Sequence, residues 1–197
     1  MIGDYLYPKD GQIIGIEYFL QSVGSWDFEN ATNKLLADLE QEIASLKVEN
    51  IHALMQKNYM VQMKLYFAEK ELQALAEMRI LYLYKHFEIY LKLLLIQVFR
   101  DADERNLYKW EETKKFLKRK GVRIGDIDNH NEIDELKKVS DAIKHSYSII
   151  GEKTKTIKEF KGKNLLSSQD LINFYNRVKH SVLGFIISLI GKIQIEE

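Results

Sequence analysis

The stretch Ile80–Phe99, ILYLYKHFEIYLKLLLIQVF, decides the fold class of this chain. It is long enough to cross a bilayer, but it contains Lys85, His86, Glu88 and Lys92, and a lysine at the centre of a membrane costs about 2.5–3.5 kcal/mol. These polar residues recur at helical spacing, and Glu88 and Lys92 are placed for an i,i+4 pair. The stretch therefore predicts a core helix with one polar stripe rather than a membrane span.

The sequence on either side of this stretch also favours helices. Pro8 is the only proline in the chain, so nothing after it breaks a helix in that way. We expect Asn50–Arg100 to be helical throughout, either as one very long helix or as two with a break near Glu69–Leu72, and we favour a break or bend there. An unbroken helix over that range would be about 75 Å long at 1.5 Å per residue, far longer than the average helix of a compact domain.

The whole chain is predicted to be all-α, as one compact unit with an N-terminal helical extension over residues 1–71 and a helical bundle over residues 72–197. Its 197 residues suit a single domain, and 46% of them are hydrophobic, which is enough for a substantial core. The other predicted elements are helices over Gln12–Val23 and Trp26–Leu46, a basic helix over Trp110–Lys120 stopped by Gly121, a loop over Val122–Asn129, and a last helix from Ser167 or Ser168 to about Ile193.

Composition excludes several classes of function. The chain has 29 basic and 29 acidic residues, so a globally basic nucleic-acid binder is not indicated, and any such surface must be local. It has no cysteine, which excludes disulfides, thiolate metal sites and cysteine nucleophiles. No signal peptide is visible at Met1–Asp4, and we expect a cytoplasmic protein.

The segment Asn129–Ser146, NHNEIDELKKVSDAIKHS, is the best candidate for chemistry. At helical spacing it separates into a mostly apolar seam and a polar stripe. The polar stripe consists of Asp134, Lys138, Asp141 and His145. Histidine can act as an acid or a base at neutral pH, and Asp141, one turn before His145, could orient its ring.

Two parts of the sequence together resemble the HEPN superfamily of helical-bundle domains. The first is Glu77-Met78-Arg79 leading into Tyr84–Lys92, and the second is Asp141–Ser146 followed by a final apolar helix. The resemblance covers roughly residues 72–195. It implies a helical bundle that acts at a dimer interface, where active members cleave RNA without a metal. In those members an arginine contacts phosphate and a histidine assists attack by the ribose 2′-hydroxyl.

The motif of active members is an arginine, four to six residues, and then a histidine. Carried over to this chain, His145 occupies the histidine position, and Lys138, Val139 and Ser140 stand where the arginine should be. Lys138 lies on the same helical face as His145 and supplies a charge, but not the planar fork that binds phosphate through two nitrogens. The tentative catalytic residues are thus His145, Lys138 and Asp141. The missing arginine favours the binding modules of the superfamily over its enzymes.

Several basic residues are candidates for binding nucleic acid or another anion. Lys109–Arg123 carries seven positive and two negative side chains, a local excess of five, and a second lysine-rich segment spans residues 153–163. Both segments flank the His145 helix in sequence and could form a phosphate-attracting rim. Arg177 and His180, one turn apart, could bind an anion and meet His145 in the bundle. The tentative anion-binding residues are Lys114, Lys115, Lys118, Arg119, Arg177 and His180.

A stripe of small residues on the last helix could let a second helix approach closely. The stripe consists of Ser181, Gly184, Ser188 and Gly191. It predicts either tight packing within the chain or a subunit interface, and on the second alternative Gly184→Leu abolishes a homo-oligomer.

We predict no metal site and no cofactor, since the histidines and carboxylates lack metal-ligand spacing. The expected partners are a second copy of the chain, RNA or a nucleotide, or a partner protein, and no membrane. Three functions stay open: a binding module, a metal-independent ribonuclease that uses His145 with Lys138 or Arg177 as the phosphate contact, and a non-catalytic oligomeric helical scaffold.

Overall fold

The computed structural model describes residues 34, 37, 38, 40, 41, 51–103, 105, 107–145 and 150–195. Within these ranges the secondary structure is helical and contains no strand, so the all-α prediction is confirmed. The predicted helix over residues 12–23 lies outside the described residues. Of the predicted helix over residues 26–46, the described positions are helical.

The first long element, α1, runs without a break over Ile51–Val98. Its 48 residues make it about 72 Å long, so the single-helix alternative is confirmed and the favoured break near Glu69–Leu72 is wrong. The physical reason is local: this range contains neither glycine nor proline, so no residue interrupts the helix. Leu72 is the first member of the main core along the chain. The boundary between residues 71 and 72 stays a prediction.

The core forms where the second half of α1 meets the later helices. These are α2 (Trp110–Arg119), α3 (His130–His145), α4 (Ser168–Val178) and α5 (Ser181–Ile195). Helix α1 packs against α3, α4 and α5. Phe87 of α1 meets the Trp110 and Phe185 rings edge to face, with centroids 5.6 Å and 5.4 Å away. This aromatic cluster joins α1, α2 and α5.

Helix α2 ends as the sequence predicts. Gly121 follows it with φ of 83°, a left-handed conformation that glycine adopts at little cost. The Val122 N–H donates to the Leu117 carbonyl at 3.0 Å and closes the helix end. The next segment, predicted as a loop, contains one short 3-10 turn over Ile124–Asp126.

The last predicted helix is two helices, α4 and α5, separated at Lys179 and His180. The break falls in a polar run and lets both halves pack against α1. Ser167 is the N-cap of α4, because its hydroxyl accepts a hydrogen bond from the Asp170 N–H at 3.2 Å. Of the two serines predicted as the N-cap, Ser167 is therefore the one that caps the helix.

The lysine-rich connection between α3 and α4 is anchored to the core despite its charge. Ile157 and Phe160 are buried, and the Phe160 ring lies 5.5 Å from the Phe174 ring of α4. Thr154 is also buried and takes part in a tight turn with Gly151. The start of this connection is therefore held at a defined place beside the end of α3.

Within residues 51–103, 107–145 and 150–195, no helix is both long enough and apolar enough to cross a bilayer.

Candidate functional site

The three residues predicted to be catalytic line one cleft of about 520 Å³ at the C-terminal end of α3. Lys138, Asp141 and His145 lie on its helical wall, together with Ala142. The opposite wall is the turn Gly151–Thr154 at the start of the anchored connection. The helical spacing read from the sequence therefore does place these three side chains on one face.

The opposite wall is built by one threonine. The Thr154 hydroxyl accepts a hydrogen bond from the Gly151 N–H at 3.1 Å and lies 3.2 Å from the Gly151 carbonyl. The Thr154 N–H donates to the same carbonyl at 3.0 Å. These contacts hold the turn in one shape, with the exposed residues Glu152 and Lys153 at its tip.

The acidic groups of the cleft are already neutralised by neighbouring lysines. Asp141 forms an ion pair with Lys137 on the same helix, and Glu152 forms one with Lys155. Among the described residues, the Lys138 and Lys153 ammonium groups have no such partner. The lysines of the cleft that lack an ion pair therefore give it an excess of positive charge, and an exposed imidazole, His145, lies beside them.

Asp141 does not orient His145 in this structure. Its carboxylate is held by Lys137 instead, and the His145 imidazole has no hydrogen-bond partner within the described part of the chain. The carboxylate lies between Lys138 and His145 along the helix face. It can accept a hydrogen bond from a ligand hydroxyl or amine.

The other end of the predicted polar stripe belongs to a different cluster. The Asp134 carboxylate accepts hydrogen bonds from the Trp110 indole at 2.7 Å and forms an ion pair with Lys114 at 2.8 Å. Burial opposes ionisation of Asp134, but the hydrogen bonds from Lys114 and Trp110 outweigh burial and lower its pKa. Asp134 thus fastens α2 to α3, eleven residues or about 16 Å before His145.

The basic helix α2 presents fewer free charges than its composition suggests. Lys114 is held by Asp134, Lys115 by Glu112 at 2.8 Å, and Lys120 by Asp101 at 2.7 Å. Lys118 and Arg119 are exposed, and the Arg119 guanidinium lies 5.7 Å from the Phe116 ring centre. The predicted basic rim therefore forms only in part. The second lysine-rich segment reaches the cleft through Lys153, whereas helix α2 contacts Asp134 at the other end of the polar stripe.

Arg177 is not a free anion site. Its guanidinium donates to Glu159 at 2.7 and 2.9 Å and to Glu135 at 2.7 Å, so two carboxylates already occupy it. The hydrogen bond to Glu159 is the largest of the effects that raise the pKa of Arg177. Glu135 lies ten residues before His145, about 15 Å along α3, so the prediction that Arg177 meets His145 is wrong within one chain.

His180 also lies away from the cleft. Gly184, one turn after His180, abuts Asn129, which precedes α3. His145 stands at the far end of that helix, sixteen residues or about 24 Å beyond Asn129. The predicted meeting of His180 with His145 is therefore also wrong within one chain, while its exposure leaves anion binding as a separate prediction.

Most of the small-residue stripe on α5 is explained by packing within the chain. Ser181 is buried, the Ser188 hydroxyl accepts a hydrogen bond from the Asp128 N–H at 3.0 Å, and a side chain on Gly184 would overlap the Asn129 amide. Only Gly191 among these four faces open space. These contacts favour the intramolecular alternative over the predicted subunit interface.

The turn Gly151–Thr154 carries no motif that predicts a cleft wall, and its Lys153 is predicted only as one charge of a basic segment. A usable signal was present: Ile157 and Phe160 stand three apart among lysines, as in a turn fastened to a core.

No protein-family model, curated protein or solved structure matches this chain. Among the described residues, no group of three histidine, aspartate or glutamate side chains could hold a metal ion.

Proposed function

We propose that this chain is a HEPN-like helical module that binds RNA through the cleft at the end of α3. The observation that carries the proposal is the charge state of the cleft. Its two acids are paired with neighbouring lysines, whereas Lys138 on the helix and Lys153 on the turn form no ion pair with a described residue, although the Lys138 charge also acts on Asp134 one turn earlier. Two such groups across a gap attract a phosphate, which carries most of the affinity in nucleic-acid binding.

The remaining groups of the cleft favour RNA as the source of that phosphate. The Asp141 carboxylate accepts hydrogen bonds, and a ribose 2′-hydroxyl can donate one. The exposed His145 ring offers a face on which a base can stack. Lys138 also lies one turn from Asp134, so the stripe leads from the cleft towards α2, where Lys118 and Arg119 are exposed.

The test is fluorescence anisotropy with a labelled single-stranded RNA in EDTA. We expect Lys138→Ala with Lys153→Ala to weaken binding at least tenfold. The matched control is Lys115→Ala, which removes a lysine already paired with Glu112 and leaves affinity nearly unchanged. Equal effects of the two changes would contradict a cleft-centred site.

Competition with unlabelled ligands separates the sources of phosphate. RNA should displace the probe at lower concentration than DNA of the same sequence, because DNA lacks the 2′-hydroxyl. Displacement by a mononucleotide at the same phosphate concentration would mean that the cleft is a nucleotide site. Absence of binding to any of the three would overturn the proposal and leave a protein partner or a scaffold.

One observation favours a second function, a metal-independent ribonuclease. His145 and Lys138 share the cleft, and the imidazole has no described partner that would occupy it. In this reaction a base takes the proton of the 2′-hydroxyl, whose oxygen bonds to the adjacent phosphorus while the 5′-oxygen leaves and gains a proton. Cleavage of mixed RNA in EDTA by the natural chain, lost in His145→Ala, would establish it. Intact RNA with both proteins would exclude it.

A further inference from the structure

Helix α1 carries an apolar stripe on the side opposite its core face. The core face contains Ile80, Phe87 and Leu94, and it is covered by the bundle. Half a turn away, a second set of residues recurs at 3.6-residue spacing and stays accessible: Met60, Met63, Phe67, Glu71, Ala74, Met78, Tyr82, Lys85, Ile89, Leu93 and Ile96. We call this set the outer stripe. Phe67 is 57% exposed and Leu93 is 48% exposed.

A helix that is apolar on two opposite sides normally has neighbours on both. A surface helix with one neighbour keeps polar residues on its outer side. The outer stripe has only two charged residues, Glu71 and Lys85, and both are exposed. It spans Met60–Ile96, about 54 Å at 1.5 Å per residue. An accessible, mostly apolar strip of this length is typical of a protein–protein interface.

The outer stripe is self-complementary about Met78: the residues before Met78 match those after it in charge and size. Residues at equal distances before and after Met78 meet at the same level of an antiparallel pair. Glu71 then meets Lys85, Ala74 meets Tyr82, and Phe67 meets Ile89; at the ends Met60 meets Ile96. Opposite charges face each other, and the largest side chain faces the smallest. In a parallel pair Glu71 would instead meet a second Glu71, and Lys85 a second Lys85.

We propose that α1 pairs antiparallel with α1 of a second copy of this chain, with the two-fold axis at Met78. The 3.6-residue period suits this pairing, because such a stripe stays on one side of a straight helix. We assign the partner as a second copy rather than another protein because the pairs that match in charge and size are all symmetric about one residue, Met78. This inference is independent of the RNA-binding proposal.

A shallow groove of about 480 Å³ marks the centre of the proposed interface. Its lining is mixed in character and consists of Ala74, Glu77, Met78, Leu81, Tyr82, Lys85 and Glu88 of α1 and Lys144 of α3. The space above Ala74 is where the Tyr82 ring of the second copy would lie. Since His145 follows Lys144, the pairing would also bring the two clefts towards one axis.

The first experiment is a charge exchange followed by light scattering after size-exclusion chromatography. We expect the natural chain to be a dimer. Glu71→Lys alone and Lys85→Glu alone should each raise the dimer dissociation constant about tenfold or more, because each places like charges opposite each other at two levels. The double variant should restore it. The matched control is Glu69→Lys, an exposed change of the same charge on the opposite side of α1, and it should have no effect.

The second experiment uses the absence of cysteine from the chain to measure direction. With a short bismaleimide, Met78→Cys should cross-link to a dimer, and Phe67→Cys should not, because antiparallel pairing separates the two Phe67 positions by about 33 Å. Phe67→Cys with Ile89→Cys should cross-link again. Circular dichroism checks that each variant is folded.

Three outcomes overturn the proposal. They are a monomeric natural chain at micromolar concentration, a dimer that the single charge reversals leave unchanged, and cross-linking of Phe67→Cys alone. The first would mean that another segment of the chain or another protein covers the outer stripe. The others would place the dimer contact elsewhere or make it parallel. None of these results bears on RNA binding by the cleft, which is measured separately.

Discussion

Gly184 and Asn129 form a contact that depends on the absence of a side chain. Asn129 has φ of 59°, a left-handed conformation that asparagine tolerates better than most residues, and its amide lies against the Gly184 backbone. Helix α5 can therefore approach the turn before α3, where Ser188 also binds the Asp128 N–H. The small residues Gly184 and Ser188, which suggest a subunit interface, instead pack against the turn at Asp128 and Asn129 of the same chain.

Gly184→Leu should lower the free energy of unfolding by about 1 kcal/mol, because the new side chain has to displace the end of the flexible Asn129 side chain and the gain in helix propensity offsets part of the cost. The control is Gly191→Ala on the same helix, where the space is open. It should be neutral or stabilise by up to about 1 kcal/mol through helix propensity. Urea unfolding measures both. Because Gly184→Leu affects the monomer, a lost oligomer in that variant would not identify an interface.

Asn129→Gly tests the contact from the other side. It removes the obstructing amide and suits the left-handed backbone, so it should recover much of the loss caused by Gly184→Leu. Strictly additive effects in the double variant would mean that the two residues do not interact.

At the scale of elements, the ends of the helices follow from local chemistry that can be tested separately. Ser167 holds the start of α4 by accepting from the Asp170 N–H, and its hydroxyl donates to the Asp170 carboxylate at 2.7 Å. Ser167→Ala should lower the melting temperature, with a loss of about 1 kcal/mol in unfolding free energy. Ser168→Ala, one residue later, should cost much less. The reverse order would mean that the helix begins at the other serine.

The Arg177 cluster joins α3, α4 and the loop between them through Glu135 and Glu159. The hydrogen bond from Arg177 is the main reason that the pKa of Glu159 falls below its ordinary 4.5. A lowered carboxyl pKa stabilises the fold above the unfolded-state value, and this contribution disappears as the pH falls through the folded-state value.

Glu159→Gln should therefore destabilise the protein at pH 7 by about 1.5–3 kcal/mol, the usual range for a hydrogen bond to a charged group. The difference from the natural chain should shrink as the pH falls below 4.5, the ordinary pKa of this carboxyl. Urea unfolding between pH 7 and pH 3 gives the comparison. A difference that stays constant over this range would show that the ion pair does not account for the effect.

At the scale of the whole molecule, the RNA-binding proposal predicts the salt dependence. Each lysine that contacts phosphate releases counterions, so Lys138→Ala should reduce the slope of log affinity against log salt by about 1, and Lys153→Ala should do the same. Lys155→Ala should leave the slope unchanged if its pairing with Glu152 keeps it from the phosphate. Affinity measured at several salt concentrations decides this. An unchanged slope in all three variants would mean that neither cleft lysine contacts phosphate.

The sequence by itself determined the helical class, the stop of α2 at Gly121, and the common face of Lys138, Asp141 and His145. Each of these depends on residues within a few positions of one another, where helical spacing and backbone preference act directly. The unbroken α1 was also readable in the same local terms, since its range lacks glycine and proline. The favoured break relied on the average length of helices in compact domains, and an average does not determine where a particular helix ends.

Only the tertiary structure decided which of the predicted charges are free. Arg177 looked like a phosphate ligand, but Glu135 and Glu159 occupy it from 42 and 18 residues away. Lys153 looked like one lysine of many, but the buried Ile157 and Phe160 bring its turn opposite His145. Helix packing decides which distant charges pair and where a loop returns. The spacing of residues along the chain does not give the distances between them in the folded protein.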